Sequence, residues 1–403
     1  MPGPGWFFID GAEDSEVADA MGERHLSRYR FDDPEAVSKT MLFEQRMAAT
    51  LGARHVLALN SGTSALLAGL TALGVGPGDE VIVPGYTFIA SIASVLFTGA
   101  RPVLAEIDES LTLDPADVAA KLTPRTKALM PVHMLGAPAD MDALMALARQ
   151  AGCAVIEDCA QACGGSYAGR RLGTIGDIGA YSLNTGKIMT AGDGGLLATS
   201  SDTWYAHAFA FHDHGFAPDR ASVAQSGPRI GLNLRLHELA AAVGLAQARK
   251  LDAILEHCRQ LKVAVRGELK DLPGVIERVI HDESGDCGTT HVLMFQDRET
   301  AAAVAGALGG RSLAASPKHN YALMAQLHGE FGGGHAAGGR AVANSGPGDL
   351  PRTDDILARS VALSIGVVDD YLGTLGEVTA ADTPEEAGRK SAAVRKVIEP
   401  LLA

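Results

Sequence analysis

The sequence predicts an α/β protein built on a mostly parallel sheet that is covered by helices on both faces. From residue 55 to residue 199, short apolar runs alternate with longer helical patterns, which is typical of strand–helix–strand units. Several runs, such as VIVP at 81–84, are apolar throughout, as expected of strands buried on both sides. The hydrophobic fraction of 47% and the charged fraction of 20% are those of a globular chain, not a disordered one.

The individual elements follow from these runs. The predicted strands are His55–Leu59, Glu80–Pro84, Arg101–Ala105, Ala128–Pro131, Ala154–Glu157, Gly179–Ser182 and Gly195–Thr199. The helical patterns between them are Ser64–Leu73, Ile89–Phe97, Pro115–Leu122 and Met141–Ala151. A longer helical stretch, Arg235–Leu269, with Ala and Leu at helical spacing, follows the alternating region.

The 403 residues are enough for two or three domains. We expect residues 1–35 to form an irregular N-terminal arm, 36–250 a large domain and 251–403 a smaller C-terminal α+β domain. The smaller domain mixes predicted strands with helices, namely His291–Phe295, Val361–Ile365, Arg298–Leu308 and Thr383–Leu402. The Gly/Ala-rich loop at 332–348 is either disordered or functional.

Charge and composition exclude several classes of protein. Lys and Arg number 34 and Asp and Glu 48, so the formal charge of −14 argues against nucleic-acid and anionic-membrane partners. The sequence has neither a signal peptide nor an apolar run of about 18 residues, which predicts a cytoplasmic protein without a membrane span. Its five cysteines suggest buried or partly buried thiols, with no disulfide framework and no metal site.

Three segments have the composition of a ligand site. In the first, Asn60–Ser64, a predicted strand turns into a helix through Ser, Gly62 and Thr63. Such a turn presents unpaired backbone N–H groups at the positive end of the helix, which suits a phosphate. Plain helix N-capping by Ser or Asn explains the same residues. The segment matches neither the dinucleotide-binding nor the P-loop glycine pattern.

The second segment places Asp158 where an apolar strand ends, which is the ligand-binding edge of an open α/β sheet. A buried carboxylate there needs a cation or several donors, and a protonated ring nitrogen would serve. An N-cap role for Asp158 is the alternative. Its neighbour Glu157 alternates to the other side of the strand and is expected to be structural.

The third segment, 179–195, holds one lysine, Lys187, among small and apolar residues. A lysine kept out of water is a candidate for Schiff-base chemistry, whereas a surface lysine that extends its amine to solvent is the alternative. Together the three segments offer a phosphate site, a carboxylate for a ring nitrogen and a reactive amine. Pyridoxal phosphate is the cofactor that requires all three.

The sequence resembles the DegT/DnrJ/EryC1/StrS family of sugar aminotransferases from about residue 40 to about 370. The motifs that support the resemblance are SGTSAL (61–66), GDEVIVPGYTFIAS (78–91), PVHMLGAPADMDAL (131–144), EDCAQACGGSYAGRRLGTIGDIGAYSLNTGK (157–187), GDGG (192–195), GLNLRL (231–236) and LPRTDDI (350–356). The resemblance implies a fold-type I pyridoxal-phosphate enzyme whose large domain has a mainly parallel, seven-stranded sheet.

The resemblance also implies a role for individual residues. Lys187 is similar to the lysine that binds the cofactor covalently, Asp158 to the partner of the ring nitrogen, and Gln161 to the ring-hydroxyl contact. The remaining implied cofactor contacts are the phosphate ligands Gly62, Thr63 and Ser182, the stacking aromatic Phe88, and Asn233, which would reach the cofactor of a neighbouring subunit. A shared site of this kind implies a homodimer.

The activity implied by the resemblance is transfer of an amino group from glutamate or glutamine to a keto sugar or related ketone, as in amino-sugar, cyclitol or antibiotic and C-nucleoside biosynthesis. A sugar dehydratase or lyase of the same fold and a non-catalytic regulatory protein are alternatives. Lys187 argues against the dehydratase, and the missing glycine fingerprint against a nicotinamide dehydrogenase. Two further segments are weaker candidates for substrate contact, namely His212–His214 and Lys318–Tyr321.

Overall fold

A computed structural model of the chain describes residues 2–29, 33, 36–220, 222–228, 230–327, 342, 344–366 and 377–402. Its strands are β1 His55–Leu59, β2 Glu80–Pro84, β3 Arg101–Ala105, β4 Thr126–Leu129, β5 Ala154–Asp158, β6 Ser166–Tyr167, β7 Arg170–Arg171, β8 Ile178–Ser182, β9 Gly195–Thr199, β10 Ile276–Glu277, β11 Thr290–Met294 and β12 Ser360–Ser364. Seven of them form one sheet in the order β1-β9-β8-β5-β4-β2-β3. Strand β9 is antiparallel to both of its neighbours, and the other neighbouring pairs are parallel. The mainly parallel seven-stranded sheet is therefore confirmed.

The α-helices are α1 Pro4–Phe7, α2 Gly11–Gly22, α3 Lys39–Leu51, α4 Gly62–Ala72, α5 Ile89–Phe97, α6 Pro115–Lys121, α7 Met141–Ala151, α8 Asp202–His212, α9 Glu238–Leu269, α10 Arg298–Ala307, α11 Pro351–Ala358 and α12 Pro384–Ile398. Short 3-10 helices lie at Met134–Gly136, Leu313–Ala315, Tyr321–Leu323, Ala325–Leu327 and Glu399–Leu401.

The large sheet separates two apolar cores because successive strand residues point to opposite faces. In β1, Val56 and Ala58 face a core shared with α3, α7 and α9, whereas Leu57 and Leu59 face a core shared with α4, α5 and α8. Helices therefore cover both faces, as the sequence predicted.

A second sheet, in the order β10-β11-β12, is antiparallel and packs with α10 and α12 around a third core. Helix α9 crosses residue 250, the expected domain boundary, and contributes to two cores. Its residues up to Cys258 pack in the core of the large sheet, and those from Leu261 onward pack in the third core. The division into domains stays a prediction, and most of the Gly/Ala-rich loop predicted at 332–348 lies outside the described residues.

The composition predicted an irregular N-terminal arm, and this prediction is wrong, because the arm contains helices α1 and α2. Asp10 and Glu13 form a capping box at the start of α2. The Glu13 carboxylate accepts the backbone N–H of Asp10 at 2.8 Å, and the Asp10 carboxylate accepts the backbone N–H of Glu13. The Glu13 carboxylate also pairs with Lys250 of α9 at 2.8 Å, which fixes the arm on the body of the protein. Helices α3, α8 and α11 were likewise absent from the predicted elements.

Within the described ranges, no helix is long and apolar enough to span a membrane. All five cysteines are free thiols, four of them buried, as the sequence predicted. Burial raises the pKa of the Cys163 thiol to about 12.

Packing of α3 on α9 gives a test of the fold. The Phe43 ring is fully buried and lies so close to Gly244 that a Cβ there would be 2.9 Å from its Cε1 atom. We expect Phe43→Ala to lower the free energy of unfolding by about 3–5 kcal/mol, measured by urea denaturation. Phe97→Ala is the control, because its ring is 66% exposed. Equal losses in the two variants would contradict this packing.

Candidate functional site

A cavity of about 480 Å³ lies at the carboxyl ends of the parallel strands β2, β4, β5 and β8. The segments that follow these strands provide one wall, and the N-terminus of α4 provides another. Thr289, Thr290 and the stretch from Leu313 to His319 close it from the side of the second sheet. This is the edge at which open α/β sheets bind ligands, and the volume suits a small molecule.

Seven of the eight predicted site residues line this cavity, although they come from four separate segments of the chain. They are Gly62, Thr63, Phe88, Asp158, Gln161, Ser182 and Lys187. Asn233 is exposed and is not among the residues of the lining.

The N-terminus of α4 has the features of an anion site. The Ser61 hydroxyl caps the helix by accepting the Ser64 N–H at 3.0 Å, so the N-cap role predicted as an alternative is present. The cap leaves the N–H groups of Gly62 and Thr63 without a hydrogen-bond partner within the described residues. A Cβ on residue 62 would lie 2.8 Å from the Ser182 Cβ, so glycine brings the two cavity walls together here.

Asp158 ends β5 with 4% of its surface exposed. Its carboxylate accepts a hydrogen bond from the Ser91 hydroxyl at 2.7 Å and another from the Ala160 N–H at 3.0 Å. No helix begins after Asp158, so the alternative N-cap interpretation is wrong. Within the part of the chain that the structure describes, no cationic side chain pairs with this carboxylate, and a bound cation would complete it.

The neighbouring carboxylate, Glu157, is fully buried and has a structural environment. It accepts the N–H groups of Gly173, Ile175 and Gly176 at 2.6–2.8 Å. The His133 ring lies 3.0 Å away, and because its Nδ1 accepts the Ala139 N–H, its Nε2 donates to Glu157. His133, Glu157 and Cys159 lie within metal-binding distance of one another. These hydrogen bonds already occupy the histidine and the carboxylate, and the cluster therefore serves to fix the end of β5.

Lys187 lies in the connection between β8 and β9 and is half-buried. It lines the cavity. Its backbone N–H donates to the Asn184 carbonyl at 2.9 Å. The connection is neither helix nor strand at this point, and hydrogen bonds across it hold its shape, such as that from the Thr185 N–H to the Gly192 carbonyl at 2.9 Å.

Phe88 and Gln161 both line the cavity. The Phe88 ring is 43% exposed and packs against His319 at a centroid distance of 5.8 Å. The Gln161 amide oxygen accepts the Leu135 N–H at 2.8 Å, so the Nε2 group remains as the donor. Lys318 and His319, weak candidates in the sequence, also line the cavity.

The segment His212–His214 is not among the residues that line the cavity. His212 is the last residue of α8, fully buried, and burial lowers its pKa to about 3. Asp213 is buried too, and burial alone would raise its pKa. The Tyr29 hydroxyl and the charges of Arg235 and Arg220 nevertheless hold the pKa below its usual value.

Asp213 and its partners Tyr29, Arg220 and Arg235 form a charged cluster that orients the segment carrying Asn233. Residues 213 and 233 form a backbone bridge, and the Arg235 guanidinium pairs with the Asp213 carboxylate. Asn233 and Leu232 are thereby presented on the surface, with Leu232 51% exposed.

Sequence reasoning missed several residues of the site. Ser91 is three positions beyond Phe88 in YTFIAS and lies in the first turn of α5. This position at the start of a helix was the signal in the sequence that its side chain lies near the edge of the sheet. Because Ser91 donates to Asp158, the Thr87 hydroxyl donates to Ser91 at 2.7 Å. Thr289 and Thr290 come from a distant part of the chain, and no local pattern announces them.

The sequence matches the model of the DegT/DnrJ/EryC1/StrS aminotransferase family over residues 35–367. The chain belongs to this family. A relative in the family, 3-amino-5-hydroxybenzoate synthase of Amycolatopsis mediterranei, is 36% identical over 73% of this chain and 74% of its own length. GDP-perosamine synthase of Caulobacter vibrioides is 43% identical over 60% of this chain, and the match spans only 63% of that relative.

Solved structures of related enzymes superpose on nearly the whole chain. The crystal structure of 3-amino-5-hydroxybenzoic acid synthase superposes with a TM-score of 0.79 at 28% identity and covers 98% of this chain and 97% of its own. DesV of S. venezuelae gives a TM-score of 0.75 at 31% identity, covering 96% and 94%. These neighbours have the fold-type I architecture of pyridoxal-phosphate aminotransferases, which confirms the predicted fold class.

The buried His212 generates a prediction for the pH dependence of stability. The unfolded chain binds a proton at His212 below a pKa of about 6.5, whereas the folded protein leaves this residue neutral down to about pH 3. The free energy of unfolding should therefore fall as the pH drops from 6.5 toward 4, with His212 contributing up to ~1.4 kcal/mol per pH unit. Urea denaturation at several pH values should give a shallower decline for His212→Gln. Equal declines in both proteins would contradict burial of a neutral His212.

Proposed function

We propose that this protein is a pyridoxal-phosphate-dependent aminotransferase that moves an amino group from glutamate or glutamine to a keto sugar or related ketone. One observation supports this most strongly. A lysine, a buried carboxylate without a cationic partner among the described residues, and the open N-terminus of an eleven-residue helix all line one cavity. Family membership agrees with the proposal.

The phosphate end of the cofactor fits the α4 wall. The N–H groups of Gly62 and Thr63 lie at the positive end of the helix dipole, where an anion is stabilised. The Ser182 hydroxyl, on the facing strand, would donate a further hydrogen bond. Neutral donors of this kind bind a phosphate without a basic cluster, in agreement with the acidic composition of the chain.

The ring end fits Asp158. Its buried carboxylate would pair with a protonated ring nitrogen and keep that nitrogen charged. Ser91 and the Ala160 N–H fix the carboxylate so that no rearrangement is needed on binding. Phe88 would stack on the ring, and the Nε2 group of Gln161 would donate to its hydroxyl oxygen.

Pyridoxal phosphate, when bound, supplies the electron sink that stabilises charge at the carbon atom next to the amine. Lys187 would hold the cofactor covalently through its amine until an amino-acid donor displaces it. The Lys187 amine, once released, would take a proton from the donor's α-carbon as a general base and give a proton back as a general acid. The same residues would run these steps in reverse on the keto acceptor.

The donor and acceptor classes are inferred from relatives. The curated relatives include an L-glutamine:2-deoxy-scyllo-inosose aminotransferase and GDP-perosamine synthases, whose names give a glutamine donor in the first case and a sugar nucleotide in the second. A keto sugar or related cyclic ketone is therefore the acceptor class that we propose.

We also propose that the active protein is a homodimer with shared active sites. Asn233 is exposed outside its own cavity, and a rigid charged cluster around Asp213 fixes the segment that carries it. The resemblance described above gives this asparagine a role at the cofactor phosphate of a neighbouring subunit.

Lys187→Ala tests the proposed function. The wild-type protein, supplied with pyridoxal phosphate, should show a near-visible absorbance band that is lost in the variant, and turnover should fall by about 10²–10⁴-fold or more. Lys318→Ala removes the other lysine of the described lining and should keep the band. Glutamate or glutamine should convert the wild-type spectrum to that of pyridoxamine phosphate. A wild-type protein that binds no cofactor would overturn the proposal.

Subunit mixing tests the shared site. Lys187→Ala and Asn233→Ala, each weakly active alone, should together recover about a quarter of wild-type activity, because half of the dimers are then hybrids with one complete site. The matched control mixes Lys187→Ala with Asp158→Asn. Both of these residues line the same cavity of one chain, so no hybrid has a complete site. Recovery in both mixtures, or in neither, would contradict the shared site.

A further inference from the structure

The N-terminal arm runs directly along the backbone that carries Lys187. The Gly3 N–H donates to the Thr185 carbonyl at 2.8 Å, and the Gly5 N–H donates to the Lys187 carbonyl at 3.3 Å. The arm thus forms hydrogen bonds to the lysine residue itself and to the residue two positions before it.

The approach of the two backbones is close enough to require glycine. A Cβ on residue 3 would lie 2.3 Å from the Gly186 carbonyl carbon and 2.6 Å from the Lys187 nitrogen. A Cβ on residue 5 would lie 2.9 Å from both the Ile188 oxygen and the Met189 Cα. These four neighbours are backbone atoms, which cannot rotate away as a flexible side chain would. A Cβ on residue 5 would also lie 2.8 Å from the Oε1 atom of the Gln247 side chain. Any side chain at either position must displace the arm or the connection between β8 and β9, residues 183–194, which carries Lys187 and is called the lysine connection below.

The other end of the arm is fixed to α9. Lys250 donates to the Phe8 carbonyl at 2.8 Å and pairs with the buried Glu13 carboxylate. Gln247, also buried, donates to Glu13 at 2.8 Å, and its Oε1 accepts the Thr190 N–H at 3.4 Å. Gln247 therefore links the arm to the far end of the lysine connection, and both ends of that connection are held.

We propose that Gly3 and Gly5 are positioning residues for Lys187, and that the arm sets where the lysine backbone lies relative to the cavity. This inference rests on the proposed function, because it assigns Lys187 the reactive amine. Residues 185–190 belong to no helix or strand. Hydrogen bonds within the connection, such as that from the Thr185 N–H to the Gly192 carbonyl, set its local shape. The arm adds two hydrogen bonds and a steric wall from outside. Displacing a reacting group by about 1 Å costs about 10²-fold in rate.

Gly3→Ala tests the inference, with Gly11→Ala as the matched control. Gly11 belongs to the same arm, and a Cβ there meets nothing within 4 Å. Gly3→Ala should lower kcat by about 10²-fold and shift the pH midpoint of the absorbance band of the bound cofactor, with KM for the amino donor changed much less. Gly11→Ala should match the wild type in all three measurements. The band and its pH midpoint report on the lysine and would not respond to a merely structural role of the arm.

Glu13→Ala is a second variant that places no atom against the lysine connection. It removes the carboxylate that Lys250 and Gln247 bind, and should change the band and kcat in the same direction as Gly3→Ala. If Gly3→Ala fails to fold, this variant still tests the inference. Wild-type kcat and an unshifted band in whichever of these two variants fold would overturn it. A wild-type protein without a cofactor band would instead overturn the proposed function, so the two failures are distinguishable.

Discussion

A buried carboxylate at the end of a parallel strand is the constraint on which the cavity depends. Removing the Asp158 charge from water costs several kcal/mol unless a cation or enough donors replace the solvent. The described residues supply two donors, Ser91 and the Ala160 N–H. The remaining demand is for a cation that enters the cavity from outside. A ligand with a protonated ring nitrogen would meet it, and the lysine and the helix end line the same cavity.

The adjacent carboxylate shows how sequence neighbours take different roles in one strand. Glu157 points away from the cavity because strand side chains alternate, and three backbone amides and His133 saturate its oxygens. The turn at 173–176, the end of β4 and the end of β5 meet at this one residue. Asp158 therefore rests on a strand end that a fully satisfied polar network holds rigid. Rigidity at Glu157 is what allows an incompletely paired group at Asp158.

Local sequence patterns predicted the elements that carry strong periodicity, and long-range contacts account for what they missed. Strands β1, β2 and β3 and helices α5 and α7 agree with their predicted bounds because apolar runs and breakers mark both ends. Helix α2 was missed because its charged sequence has little apolar periodicity and is fixed by the Glu13–Lys250 pair, whose members lie far apart in the chain. The same reason hides Gly3, whose environment is set by a loop at 185–187. Seven predicted site residues lie at or shortly after the ends of strands β1, β2, β5 and β8, and the structure brings them together around one cavity.

The net charge of −14 and the predicted phosphate site are compatible because they act over different distances. Surface carboxylates act on a ligand through solvent, where salt screens them beyond about 8 Å. The N–H groups of Gly62 and Thr63 would act at hydrogen-bond distance, at the end of a helix whose dipole favours an anion. A polyanion would have to lie along the whole acidic surface, but a single phosphate has only to enter one cavity. Net charge therefore argues against the first kind of partner and says nothing against the second.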